Sequence, residues 1–94
     1  MRSKGEIEEQ RDTLRESIDT TAGEVQKEFI REQIFVLDRV LGLFDTGEVK
    51  DQFEVFRLLQ QAQTQMKAVP DASDRIHKKA EAAVLTYKWV LQKQ

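Results

Sequence analysis

The side chains able to do chemistry are few in this chain, and they are spaced as a helical surface spaces them. The one histidine, His77, is followed by Glu81 at i+4. A metal centre among helices needs several ligands from different helices, commonly with Glu-x-x-His pairs. That motif does not occur, so His77 reads as a polar residue at the edge of a core. There is no cysteine, which removes disulfides, thiolate ligands and a cysteine nucleophile. No serine or threonine has a candidate base other than His77. Many carboxylates have Lys or Arg three or four residues on, as in Glu24/Lys27, Glu28/Arg31 and Asp74/Lys78, the pattern of a solvated helix face. The residues predict no enzyme and no catalytic, cofactor-binding or metal-binding site.

What remains is recognition chemistry. Arg75, Lys78, Ala82, Leu85, Trp89 and Lys93 follow one another at spacings of 3, 4, 3, 4 and 4, which places them on one side of a helix. That side lies opposite the apolar stripe Ile76, Ala80, Ala83, Val84, Tyr87, Val90 and Leu91. Leu85 and Trp89 are therefore expected to point away from the core, with Arg75, Lys78 and Lys93 as a cationic rim. Phe35 falls on the polar side of its own helix in the same way. Tryptophan dominates interface energetics, and a basic rim favours an acidic partner.

The elements that must position these residues are helices. Proline occurs once and glycine four times, and apolar residues recur with a 3.6-residue period. The spacing predicts helices over about 3–20, 23–44, 48–68 and 72–92, with no strand pattern in competition. Turns near 19–23 and at Pro70 divide the chain into two antiparallel hairpins, hence an all-α four-helix bundle in one domain, 1–94. The second helix carries Ile30, Ile34, Leu37, Leu41 and Phe44. The third carries Val49, Phe53, Phe56, Leu59 and Met66, widened by Val55, Leu58, Ala62 and Val69. These two stripes are the widest, so helices 2 and 3 are expected at the centre. Helix 1 has only Ile7, Leu14 and Ile18, interrupted by Arg11, so its first turns are expected to fray.

Two stretches are near copies: GEVQKEF from Gly23 and GEVKDQF from Gly47. Thr21-Ala22-Gly23-Glu24 fits a capping box, and Asp45-Thr46-Gly47-Glu48 offers an aspartate cap. Both are expected to open helices, with no ligand required. Asp71-Ala72-Ser73-Asp74 does the same for the last helix.

Ninety-four residues with 15 basic and 17 acidic side chains form a small domain that buries about 60–65% of its unfolded surface, so a partner would help its core. The net charge of −2 is no footprint for nucleic acid or anionic membrane. The charge is uneven, however. Residues 1–45 hold seven basic and eleven acidic side chains, and residues 71–94 hold five and three. No apolar h-region opens the chain and no apolar run approaches a membrane span, so a cytoplasmic location is expected.

Glu28–Asp38, EFIREQIFVLD, resembles the middle helix of BAG domains, three-helix modules that bind the ATPase domain of heat-shock chaperones. The resemblance implies contacts by Glu28 and Asp38, with Gln63 on the following helix. It also implies an arginine eight residues before Gln63, where this chain has Val55. The likeness is thus confined to one segment and is not taken as an assignment.

The sequence therefore leads to a non-enzymatic helical interaction module, docking on a protein partner or on itself as a homodimer or coiled coil. The contacts would come from Leu85, Trp89, Arg75, Lys78, Lys93 and Phe35. The alternative is a nucleic-acid-binding regulator using the basic side of the last helix, whose binding would weaken steeply with salt.

Overall fold

In the computed structural model, which describes residues 1–47 and 52–92, four helices run in sequence: α1 (Lys4–Ile18), α2 (Glu24–Thr46), α3 (Phe53–Ala68) and α4 (Arg75–Leu91). Val49, the expected first turn of the third helix and Lys93 lie outside the described residues. α1 pairs antiparallel with α2, and the contacts Lys4–Asp45 and Arg11–Asp38 fix that register. α3 pairs antiparallel with α4, since the α3 end at Val69 meets His77 and the α3 start at Phe53 and Phe56 meets Leu91. The bundle is thus two helical hairpins, joined where α2 packs along α4. α2 and α4 point the same way: Glu28 meets Arg75 near their starts, and Leu37 neighbours Leu85 and Trp89 farther along.

This arrangement corrects the expectation that helices 2 and 3 form the centre. The main packing pairs are α1 on α2, α2 on α4 and α3 on α4, so the middle is α2 with α4. The reason lies in the alanines. Ala80, Ala82 and Ala83 are buried along with Val84, Thr86, Tyr87 and Val90, covering most of the α4 circumference. Small side chains let helices approach on two sides, and α4 is flanked by α2 and α3. Thr86, the buried polar residue on this helix, satisfies its hydroxyl by donating to the Ala82 carbonyl at 2.7 Å. From α2 the core takes Val36, Leu37, Val40 and Leu41, and from α3 Val55, Leu58, Leu59 and Ala62. Each larger aliphatic side chain so buried stabilises the fold by roughly 1.5–3 kcal/mol before entropy is counted.

The start of α1 is capped and packed. Ser3 and Glu6 form a reciprocal capping box, and Ile7 is fully buried. Arg2 ties the entry to the far end of α4: its backbone N–H donates to the Val90 carbonyl at 2.8 Å and its Nε to the Trp89 carbonyl at 2.9 Å.

The glycines that open the twin GEV stretches do opposite jobs. Gly23 is the N-cap of α2, with φ 92° and no side-chain cap. Thr21, expected to cap α2, instead donates its hydroxyl to the Ser17 carbonyl at 2.7 Å and closes α1. Gly47 ends α2 in the left-handed conformation, φ 73°, its N–H bonded to the Leu43 and Phe44 carbonyls. Asp45 lies within α2 and pairs with Lys4 rather than opening a helix. The last expected cap is present: the Asp74 carboxylate accepts from the Ile76 N–H at 2.8 Å, while Asp71 accepts from the N–H and hydroxyl of Ser73.

Candidate docking groove

The parallel run of α2 beside α4 leaves a groove between their first halves. Two adjoining cavities, of about 260 and 530 Å³, occupy it and share Glu28, Arg75 and Lys79 in their linings. The α2 wall presents Glu24, Glu28 and Glu32, with Arg31 as its one lining cation. The α4 wall presents Arg75, Lys78 and Lys79 and no acid. The groove is therefore electrically two-sided, acidic on one bank and basic on the other. Its apolar part comes from Val25 and Phe29 in the first cavity and Phe35 in the second. Val25 is 55% and Phe35 60% exposed, which leaves both open to a partner at the groove.

One ion pair crosses the groove, between Arg75 and Glu28. Glu24, Glu32, Lys78 and Lys79 take part in none of the ion pairs among the described residues. Deeper between the same helices, the buried Tyr87 meets Arg39 and Glu32; burial, the dominant influence, raises the phenol above its ordinary pKa of 10.0 while Arg39 pulls it back.

Of the residues singled out in the sequence, Phe35, Arg75 and Lys78 come together at this groove. Leu85 and Trp89 do not. They lie farther along α4, where Gln10 and Leu14 of α1 and Leu37 of α2 close around them. Leu85 is 48% exposed, as expected. Trp89 is not the outward anchor expected: it is half-buried, packs against the core and is covered by the Arg2 guanidinium, 4.2 Å from the ring centroid. Ala82, assigned to the same outward stripe, is fully buried. The cause is the central position of α4, which leaves little of its circumference free.

Sequence periodicity missed a second apolar patch. Phe53 and Phe56, assigned to the core stripe of helix 3, are 68% and 47% exposed and border a cavity with Leu91. Val55, Leu58, Leu59 and Ala62 take the core instead. The signal was present, because the two phenylalanines sit at the edge of a stripe too broad to bury whole.

His77 is half-buried and donates Nδ1–H to the Val69 carbonyl at 2.6 Å, pinning the α3–α4 turn, with Glu81 4.0 Å from its other nitrogen. Among the described residues, no group of three or more His, Asp or Glu is placed to hold a metal ion. No described helix is long and apolar enough to cross a membrane. Val55, where a BAG-like surface would need an arginine, is fully buried, and Glu28 is engaged by Arg75. Comparison with protein-family models, curated proteins and solved structures finds no match to this chain.

Proposed function

We propose that this protein is a non-enzymatic interaction module that accepts a helix of a protein partner in the groove between α2 and α4. The observation that carries the reading is Phe35: an aromatic side chain 60% exposed at a groove whose two walls carry opposite charge. An amphipathic helix laid into such a groove buries its apolar stripe on Phe35 and Val25 and satisfies the walls with its own charges, a recurrent mode of helix recognition. Aromatic anchors of this kind hold a disproportionate share of binding energy. Leu85 lies on the continuation of α4 and would extend the contact. The net negative charge of the chain and the acidic wall both disfavour a nucleic-acid phosphate backbone in the same place.

A photo-crosslinking amino acid at position 35, introduced into the chain in the cells that make it, tests the reading. Position 65 on the exposed face of α3 is the control. A discrete covalent adduct from position 35 and none from position 65 is expected. No adduct from position 35, or equal labelling from both, would overturn the docking groove.

A further inference from the structure

We infer that the occupant of the α2/α4 groove is a second copy of this chain, related by a two-fold axis running along the groove. The inference rests on the docking reading and adds the identity and geometry of the partner.

The argument starts from charge. On one copy the acidic wall belongs to α2 and the basic wall to α4. Because the two helices are parallel and Glu28 stands level with Arg75, the acids and cations occupy the same length of the groove. A two-fold axis parallel to the helices lays α2 of the second copy over α4 of the first, and α4 over α2. Acid then faces base on both sides at once. A two-fold axis across the groove would instead lay α2 on α2, acid against acid, and like charges so placed repel. The charge pattern thus accepts one symmetric pairing and rejects the other.

The second observation is what each copy leaves unpaired. Glu24, Glu32, Lys78 and Lys79 border the groove, yet none joins an ion pair within its own chain among the described residues. A copy in the two-fold arrangement supplies each with an opposite charge. Phe35 and Val25, which are more than half exposed in one copy, are covered by the α4 of the other. An isologous contact needs a self-complementary surface, and a groove with one acidic and one basic bank is self-complementary by construction. The acidic first half and basic last segment of the sequence express the same pattern at coarser grain.

The experiment is the solution mass of the purified chain by light scattering across concentration, with two double variants, Glu24→Lys with Glu32→Lys and Lys78→Glu with Lys79→Glu. The parent chain is expected to dimerise, and raising salt from about 0.05 to 0.5 M should weaken the dimer roughly tenfold as the wall charges are screened. Each double variant alone is expected to be monomeric where the parent is dimeric, because both banks then carry the same net sign. Mixing the two variants in equal amounts restores a heterodimer. Helicity by circular dichroism confirms that each variant folds; if one does not, the salt dependence of the parent decides alone. A parent chain that stays monomeric, or a dimer indifferent to both the charge reversals and salt, overturns the inference. A monomeric parent that crosslinks from position 35 to a different protein sinks the second copy and leaves the docking groove standing. Absence of any adduct from position 35 sinks both.

Discussion

Arg2 covers Trp89 with a guanidinium 4.2 Å from the ring centroid while its side-chain N–H groups donate to the Trp89 carbonyl and the Glu6 carboxylate. Cation–π contact and charge-assisted hydrogen bonds together contribute about 1–2 kcal/mol at a partly exposed site. Arg2→Ala should therefore lower stability to urea by that amount. Trp89 is the one tryptophan in the chain, so its emission should shift to the red in the variant, checked by fluorescence under native conditions. At the same end of α1, the Glu6 carboxylate accepts from the Ser3 N–H at 3.1 Å; that bond, ahead of those from the Ser3 hydroxyl and Arg2, holds its pKa below the ordinary value. A carboxylate depressed in the fold stabilises it above the unfolded pKa and ceases to do so as pH falls through the folded pKa. The protection of the first-turn amides of α1, relative to their intrinsic exchange rates at each pH, should fall on acidification below about pH 4, and Glu6→Gln should flatten that dependence. Tyr87 works in the opposite sense. Burial raises its folded pKa, so its contribution is complete below the unfolded value near 10 and is lost as pH rises through the higher folded value. Alkaline unfolding should be shallower in Tyr87→Phe, measured by thermal melts between neutral pH and pH 11.

At the level of elements, two glycines of α2 predict changes of opposite sign. Gly47 closes the helix at φ 73°, and nothing crowds the space a Cβ would enter. The cost of Gly47→Ala is thus backbone strain alone, roughly 1–2 kcal/mol. Gly42 lies inside the same helix on an exposed face, also with open space around it, and Gly42→Ala should stabilise by about 0.5–1 kcal/mol. Thermal denaturation of the two variants checks both. The helices themselves were legible in the sequence because breakers are few and the apolar period is long. The Ser3-Lys4-Gly5-Glu6 capping box was overlooked when the first turns of helix 1 were expected to fray, although a serine three residues before a glutamate is its signature. The different jobs of Gly23 and Gly47 were not legible. Each opens a GEV stretch, and glycine serves an N-cap at Gly23 and a C-cap at Gly47 with equal ease; only the surrounding chain direction decides. Phe35 was identified because it stands alone on a polar face. Phe53 and Phe56 were missed because they belong to a continuous apolar arc, and periodicity shows that an arc exists without showing which half of it meets a neighbour.

For the whole molecule, the order in which helices pack differs from their order in the chain. The sequence suggested that the widest apolar stripes mark the centre, and by that measure α3 should have been central. The structure places α4 there because closeness of approach, set by Ala80, Ala82 and Ala83, outweighs breadth of stripe. The same substitution of criteria explains Trp89, which looked exposed only while α4 was taken for an outer helix. A bundle centred on α4 also depends on it more than on any other element. Ala83→Leu, a buried position where added volume has nowhere to go, should cost about 1–3 kcal/mol by overpacking, read from denaturant midpoints. The matching substitution at the exposed Gln61 should be within about 0.5 kcal/mol of neutral.

The centrality of α4 bears on how the molecule is made. Of the four helices, α4 is the last to be synthesised, so α1, α2 and α3 leave the ribosome before the surface that unites them exists. Until Arg75–Leu91 emerges, Val36, Val40, Leu58 and Leu59 have no α4 to pack against, and apolar faces left waiting in this way are open to aggregation and to chaperones. Nascent chains stalled with residues 1–72 outside the exit tunnel should remain protease-sensitive, and chains stalled after Leu91 has cleared the tunnel should be resistant. Of the four helices, the one that joins the two hairpins is the last to arrive.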